Sequence, residues 1–153
     1  MIEPRRTGIA ALALSAVALV GIALNEGYTD HAVHPVPGDV PTIGFGTTDG
    51  VHMGDTITPP RALARTLKDI QKYEGAVKQC VTVPLTQNEY DAYIDLAYNI
   101  GPTAFCRSAL VKKLNADDYA GACAEILHWN RFKGATLRSL TARRQREYKQ
   151  CLG

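Results

Sequence analysis

The segment EGYTDHAVHPVPGDVPTIGFGTT, residues 26–48, decides the fold of this chain. It begins with one acidic residue directly after an apolar run, and a proline- and glycine-rich loop then leads into a short β-like piece, residues 40–46. A carboxyl group at an apolar helix end has a raised pKa when it is buried. A hairpin folded back over that group supplies one wall of a cleft. The segment therefore predicts an acid at the edge of a hairpin-walled cleft.

Length and composition are those of one globular domain. The chain has 153 residues, of which 46% are hydrophobic and 21% charged, enough to bury a core. The net charge of +2 gives only mild attraction to anionic surfaces. No long basic run of the kind found in nucleic-acid binders is present. We expect a monomer that does not bind nucleic acid.

The pairing of Glu26-Gly27 with Thr42-Ile43-Gly44-x-Gly46 resembles the phage-type lysozymes, glycoside hydrolase family 24. The resemblance implies a mostly helical α+β fold, in which a small β-hairpin lobe is joined by a long helix to a helical lobe. It also implies that Glu26 is the catalytic acid and that Thr42 is the family's threonine. No metal or organic cofactor is indicated, because hydrolysis by paired groups does not need one.

The second catalytic group departs from the family pattern, which is Glu, eight residues, Asp or Cys, five residues, Thr. Counted from Glu26, the position of the Asp or Cys is occupied by Pro35; counted back from Thr42, it is occupied by Val36. Neither residue can act as a base. We favour Asp39 as the substitute, because it lies in a Pro-Gly-Asp turn close before the threonine. His34 is the second choice, and Asp30 is also available.

The N-terminal apolar run, residues 9–24, carries no charge and follows two arginines. It barely reaches the roughly 17–25 residues that span a bilayer, and its many alanines make insertion weak. Three interpretations compete: a cleavable signal peptide, a buried helix of a soluble protein, and a membrane anchor that is later released. Cleavage would leave Glu26 near a frayed terminus. We favour the anchor, which resembles the signal-anchor-release branch of the same family.

The anchor interpretation predicts a mechanism of control. Arginines before the run and none close behind it predict an inward N-terminus and an exported body at the periplasmic face of the bacterial inner membrane. Residues 9–24 in lipid would hold Glu26 at the interface, and release into the periplasm would let them pack on the body. No cysteine precedes Cys80, so inactivity before release is steric.

The expected domain organisation follows. Residues 1–25 form the anchor and residues 26–153 the catalytic domain, divided into a hairpin lobe (26–57) and a helical lobe (58–153). Thr58 and two prolines start a long helix to about Lys78. Thr86 and Glu89 form a capping box for the next helix. Asp117 is the expected cap of a later helix, and the last helix begins near Thr141.

The four cysteines form no CxxC pair, and no histidine lies at zinc-ligand spacing beside them. This favours two disulfides in an oxidising compartment over four buried thiols. Sequence alone permits three connectivities. The family layout implies Cys80–Cys106 and Cys123–Cys151.

Two further residues are candidates for binding substrate. Asn99 can hydrogen-bond sugar, although it can instead cap its own helix. The resemblance places an arginine of the last helix, Arg143 or Arg144, beside the catalytic acid. Such an arginine favours the carboxylate, so burial must outweigh it if the acid is to stay protonated.

The resulting prediction is an exported muramidase that hydrolyses the β-1,4 bond between N-acetylmuramic acid and N-acetylglucosamine of peptidoglycan, for lysis of the host cell. Glu26 protonates the leaving oxygen, while Asp39 and Thr42 position and activate a water. Two alternatives remain: a lytic transglycosylase that uses Glu26 alone, and a non-catalytic, membrane-tethered module that binds the cell wall.

Overall fold

The computed structural model describes residues 4–153, so the first three residues of the predicted anchor lie outside the described range. The architecture is the predicted mostly helical α+β type with a small hairpin. In chain order the elements are α1 (Ala16–Glu26), β1 (Thr29–Val33), β2 (Thr42–Gly44), α2 (Pro59–Cys80), α3 (Gln87–Ile100), α4 (Pro102–Arg107), α5 (Ala109–Asn115), α6 (Tyr119–Glu125), β3 (Arg131–Phe132), β4 (Ala135–Thr136) and α7 (Arg138–Leu152). Single 3₁₀ turns occur at Ile9–Ala11 and Ile126–His128.

The chain forms two compact units, whose boundaries fall at the start of α1 and within α2. The smaller unit is Ala16–Lys72, and the larger unit combines the chain up to Ser15 with Tyr73–Gly153. The division into domains at residues 25 and 57 stays a prediction.

The smaller unit is built on the antiparallel pair β1–β2. Thr29 lies opposite Gly44 and Val33 opposite Thr42, with an irregularity between the two positions. The apolar face of the pair packs into a small core formed by Ala32, Ile43, Val51 and Ile57. This core fixes the hairpin that carries two of the predicted catalytic residues, Asp39 and Thr42.

Helix α2 begins where the sequence predicts. Pro59 and Pro60 occupy its first turn, where an absent N–H costs nothing, and the helix continues to Cys80. Gly44 of β2 packs directly on it: a Cβ at this glycine would lie 2.8 Å from the Cβ of Ala62. The first glycine of the TIGFG motif is therefore needed for the close approach of β2 to α2.

The larger unit is helical and has α3 at its centre. The predicted capping box is present, since Thr86 Oγ1 accepts from the Glu89 N–H and the Glu89 carboxylate accepts from the Thr86 N–H. Tyr90 and Tyr93 of α3 are fully buried, as expected for core residues. Two disulfides are present, as predicted, and they join Cys80 to Cys106 and Cys123 to Cys151.

Two helix starts differ from the sequence prediction. Asp118, not Asp117, caps α6 by accepting from the Gly121 N–H at 2.9 Å, whereas Asp117 has a φ of 63° and lies outside the helix. Helix α7 begins at Arg138 rather than near Thr141. Its N-cap makes no side-chain hydrogen bond, so the sequence carried no capping signal for this start.

The N-terminal apolar run is not one continuous helix. After the 3₁₀ turn the chain is non-helical over residues 12–15, and α1 begins only at Ala16. Among the helices in residues 4–153, none combines the length and apolar character that crossing a bilayer requires.

The non-helical stretch, residues 12–15, is bound to the rest of the larger unit mainly through its main chain. The N–H of Leu14 donates to Glu74 at 2.7 Å and the Leu12 carbonyl accepts from Lys78 at 2.5 Å. The Ala13 carbonyl accepts from Gln87 at 2.9 Å. Ser15 adds a side-chain contact, since both its N–H and its hydroxyl donate to the Asp91 carboxylate, at 3.0 and 2.6 Å.

Candidate active site

Glu26 is the last residue of α1 and lies in the smaller unit. The helix buries Ile22 and Ala23. Gly27 follows it, with a φ of 71° that turns the chain and an N–H that donates to the Ala23 carbonyl. Glu26 itself is exposed. The burial that the sequence led us to expect for this carboxyl group is therefore absent.

The carboxylate of Glu26 is approached closely by the backbone of Gly46. A Cβ at Gly46 would lie 3.0 Å from Glu26 Oε2, and the φ of this glycine is 85°. The turn containing Gly46 is locked, because Ile43 and Thr47 exchange both backbone hydrogen bonds. Glycine is required here both for the conformation and for the space beside the acid.

The loop between β1 and β2 carries the candidates for the second catalytic group. The Asp39 backbone carbonyl contacts His34 Nδ1 at 2.7 Å, and the Asp39 carboxylate accepts from the Val40 N–H at 3.2 Å. Thr42 opens β2 and its hydroxyl donates weakly to the Val40 carbonyl at 3.4 Å. The side chains of Asp39 and Thr42 thus both form hydrogen bonds to the main chain of Val40. Their catalytic roles stay predictions.

Asp30, another candidate, is bound to its neighbour. Its carboxylate contacts His31 Nδ1 at 2.6 Å, and this hydrogen bond holds the pKa of Asp30 below its ordinary value. Asp30 therefore remains ionised in neutral solution.

An aromatic pair that the sequence prediction missed lies close in the chain to both Glu26 and Gly46. The rings of Tyr28 and Phe45 are 5.2 Å apart, and Tyr28 is 39% exposed. The signal for this pair was available, because each aromatic residue lies within two positions of a residue singled out by the motif.

The two predicted substrate-binding residues, Asn99 and Arg144, are brought together in the larger unit. Arg144 is 1% exposed; its guanidinium donates to Glu147, to the Trp129 carbonyl at 2.9 Å and to Asn99 Oδ1. Asn99 is exposed. Because its oxygen faces Arg144, the amide NH₂ of Asn99 is left pointing away as a hydrogen-bond donor.

Arg143, the other arginine predicted near the acid, belongs to the same buried network. It donates to Asp95 at 2.6 Å and to Glu147 at 3.1 Å. Burial, and then the negative charge of Asp95, raise the pKa of Glu147 to about 7. The sequence prediction identified the arginines of this network but neither carboxylate.

Within residues 4–153, no cluster of three or more histidine, cysteine, aspartate or glutamate side chains is arranged to hold a metal ion.

Comparison with known proteins decides the family. The phage lysozyme family model matches residues 23–147, from the end of α1 into α7. The chain belongs to the phage lysozyme family. As a phage lysozyme it is a glycoside hydrolase, an endolysin that acts on peptidoglycan in host-cell lysis.

Individual relatives of this phage lysozyme agree with that assignment. An endolysin of Acyrthosiphon pisum secondary endosymbiont phage 1 is 44% identical over 69% of this chain and 75% of its own length. A SAR-endolysin of Pseudomonas phage phiKMV is 37% identical over 90% of this chain and 87% of its own. The solved endolysin from Escherichia coli O157:H7 phage FAHEc1 superposes with a TM-score of 0.84 at 36% identity, covering 97% of this chain and 96% of that one.

Proposed function

We propose that Glu26 is the general acid that protonates the leaving oxygen of the β-1,4 bond between N-acetylmuramic acid and N-acetylglucosamine. The observation that carries this assignment is the close approach of Gly46 to the Glu26 carboxylate. A glycine held at positive φ against a carboxylate leaves room for a substrate atom where a side chain would otherwise stand. A sugar bound there would displace water from the exposed carboxyl group and favour its protonated form.

Asp39, with Thr42, is our proposal for the group that activates the attacking water. Both residues contact the main chain of Val40, so a movement of the loop that repositions one also repositions the other. An ionised carboxylate can accept a proton from water, and a threonine hydroxyl can hold that water by a hydrogen bond.

In the larger unit, Asn99 is the proposed substrate contact and Arg144 its positioning residue. Arg144 fixes which end of the Asn99 amide faces outward, so that the NH₂ group is presented to an acceptor such as an acetamido carbonyl. A direct contact of Arg144 with sugar would require its guanidinium to leave three hydrogen-bond partners, Glu147, Trp129 and Asn99.

The catalytic assignment is tested with Glu26→Gln on purified peptidoglycan. General acid catalysis contributes about 10²–10⁴-fold, so we expect a loss of that size in the release of new reducing ends. Thermal unfolding should be nearly unchanged, because Glu26 is exposed. Glu125→Gln, a carboxylate of α6 in the larger unit, is the matched control and should retain activity. Activity of Glu26→Gln within twofold of the wild type would refute the assignment.

The same assay separates hydrolysis from the transglycosylase alternative. Hydrolysis leaves a reducing end, whereas intramolecular attack leaves a 1,6-anhydro end that mass spectrometry distinguishes. Asp39→Asn and His34→Ala identify the second group: only the variant that removes the water-activating residue should lose activity by a comparable factor. Anhydro products from the wild type would contradict our assignment of a water-activating residue.

Residues 9–24 are proposed to tether the protein in the inner membrane before release into the periplasm. The uncharged run and the similarity to a SAR-endolysin over most of the chain support this proposal. The hydrogen bonds of residues 12–15 to the larger unit also support it. They involve mainly main-chain groups, so a segment that is apolar enough for lipid can still bind there.

Replacement of three alanines in residues 9–24 by leucine tests the tether. Each leucine favours insertion by about 0.6 kcal/mol, so the variant should remain in the membrane fraction and fail to lyse cells. Replacement of the same alanines by serine should shift the protein to the soluble fraction. Equal partitioning of the two variants would rule the tether out.

A further inference from the structure

A groove lined by both charged and apolar residues lies in the smaller unit where α2 begins. It consists of two adjoining pockets of about 350 and 420 Å³. Both are lined by Thr56, Ile57 and Arg61. The first pocket extends to Asp30 and His31, and the second extends along α2 to Arg65. None of these residues is used in the catalytic step proposed above.

The floor of the groove is held rigidly by the backbone. The Ile57 N–H donates to the Asp30 carbonyl at 2.9 Å, and the Ile57 carbonyl accepts from the Tyr28 hydroxyl at 2.9 Å. His31 and Thr56 pair as an isolated antiparallel bridge, and the Ile57 side chain packs against the core of the smaller unit. A ligand would therefore meet a preformed surface, which lowers the entropic cost of binding.

One wall of the groove is cationic. Arg65 donates to the Asp49 carbonyl at 2.6 Å and is thereby held in place. Arg61 has no hydrogen-bond or ion-pair partner within the described residues 4–153, and its side chain is exposed. The preceding residues of the helix are Pro59 and Pro60, which have no N–H to offer. An anion in the groove would therefore be bound by the Arg61 guanidinium and not by the helix end.

The other wall is anionic. Asp30 is ionised and carries its His31 partner on one oxygen, which leaves lone pairs for a second donor. A polyanion such as a lipid or teichoic phosphate surface would be repelled by this carboxylate. A ligand with one carboxylate and one ammonium group satisfies both walls.

We propose that this groove binds the peptide attached to the glycan strand of peptidoglycan, with a peptide carboxylate on Arg61 and an ammonium group near Asp30. The proposal rests on the proposed function, which makes peptidoglycan the substrate. The sugars of that polymer are neutral once the lactyl group is amide-linked, so its charged groups belong to the peptide. A short peptide with free carboxylates and a diamino acid carries both charges that the groove accepts. A guanidinium binds a carboxylate by two parallel hydrogen bonds, which gives specificity as well as affinity.

The first test compares Arg61→Ala with the wild type on intact peptidoglycan and on the same material stripped of peptide by an amidase. Loss of a charge-assisted hydrogen bond at an exposed site should raise KM on intact peptidoglycan roughly tenfold and leave kcat unchanged. KM on the stripped glycan should be the same for both proteins. Lys68→Ala removes an exposed cation of the same helix outside the groove and is the matched control. Equal effects of Arg61→Ala on both substrates, or none on either, would overturn the proposal.

A binding measurement separates this proposal from the catalytic one. The peptide released by the amidase is titrated into the Glu26→Gln protein and followed by NMR. We expect shifts at the Ile57 amide and the Arg61 Nε–H, and loss of the Ile57 shift in the Glu26→Gln, Arg61→Ala double variant. Absence of these shifts overturns the groove proposal even if Glu26 is the acid. Their presence supports it even if Glu26→Gln retains activity.

Discussion

The two units of this lysozyme treat charged side chains in opposite ways. In the larger unit Glu89, Asp91, Arg144 and Glu147 are all less than 5% exposed, and each is paired. In the smaller unit the charged catalytic candidates, Glu26 and Asp39, and the groove arginine Arg61 are exposed. Buried charges are tolerated only when paired, and they then fix side-chain positions. The charged side chains of the larger unit thus stabilise its fold, whereas those of the smaller unit are accessible to a ligand.

Removal of Arg144 tests the architectural half of this comparison and should have the largest effect. Arg144→Ala leaves Glu147 with only the Arg143 bond in a buried site, which costs about 3–5 kcal/mol of unfolding free energy. Chemical denaturation at about pH 8, where Glu147 is ionised, measures this loss. Arg138→Ala, an exposed arginine of the same helix, should change stability by less than about 0.5 kcal/mol. Comparable losses in the two variants would show that burial of the pair is unimportant.

Gly46→Ala tests the functional half. The added Cβ would meet Glu26 Oε2 and displace it, so peptidoglycan cleavage should fall by about 10–100-fold, as expected for a misplaced catalytic group. Gly50→Ala is a close control, because Gly50 has a similar positive φ of 66° but no atom within 4 Å of the position that a Cβ would occupy. Both variants bear the backbone strain, of about 1–2 kcal/mol. Equal activity of the two would show that the space beside Glu26 is not needed.

The pH dependence of stability, taken per pH unit, gives the smallest effect and sharpens the account of Glu147. Its pKa is about 7 in the folded protein, above the ordinary value of 4.5, so the folded state holds a proton that the unfolded state has released. Stability should therefore fall as pH rises from about 4.5 to about 7, by at most about 1.4 kcal/mol per pH unit. In Glu147→Gln this contribution should vanish. Denaturation midpoints of both proteins across this range measure the difference; parallel curves would contradict the raised pKa.

Local signals in the sequence predicted much of the fold. The prolines after Thr58 and the Thr86–Glu89 capping box each act within one helical turn, so the elements they start appear where expected. The second hairpin, β3–β4, was missed although Lys133-Gly134 has positive φ at both positions, the geometry of a type I′ turn. Its strands are two residues each, too short to show alternation.

The candidate site was only partly predictable, because its main features depend on contacts distant in sequence. The motif identified Glu26, but its exposure depends on how the turn around Gly46 packs. The Arg144–Asn99 bond joins residues far apart in the chain, and no local pattern encodes it. The same holds for the groove, whose walls come from β1 and α2.

The way in which residues 12–15 are held lets their hydrophobicity vary independently of their hydrogen bonds to the larger unit. Three of these four residues are held through peptide groups, which every amino acid except proline can provide in full. Mutations can therefore change the hydrophobicity of this stretch, on which the proposed membrane tether depends, without removing these main-chain hydrogen bonds. Ser15 is the exception, because a substitution that removes its hydroxyl also removes a hydrogen bond to Asp91.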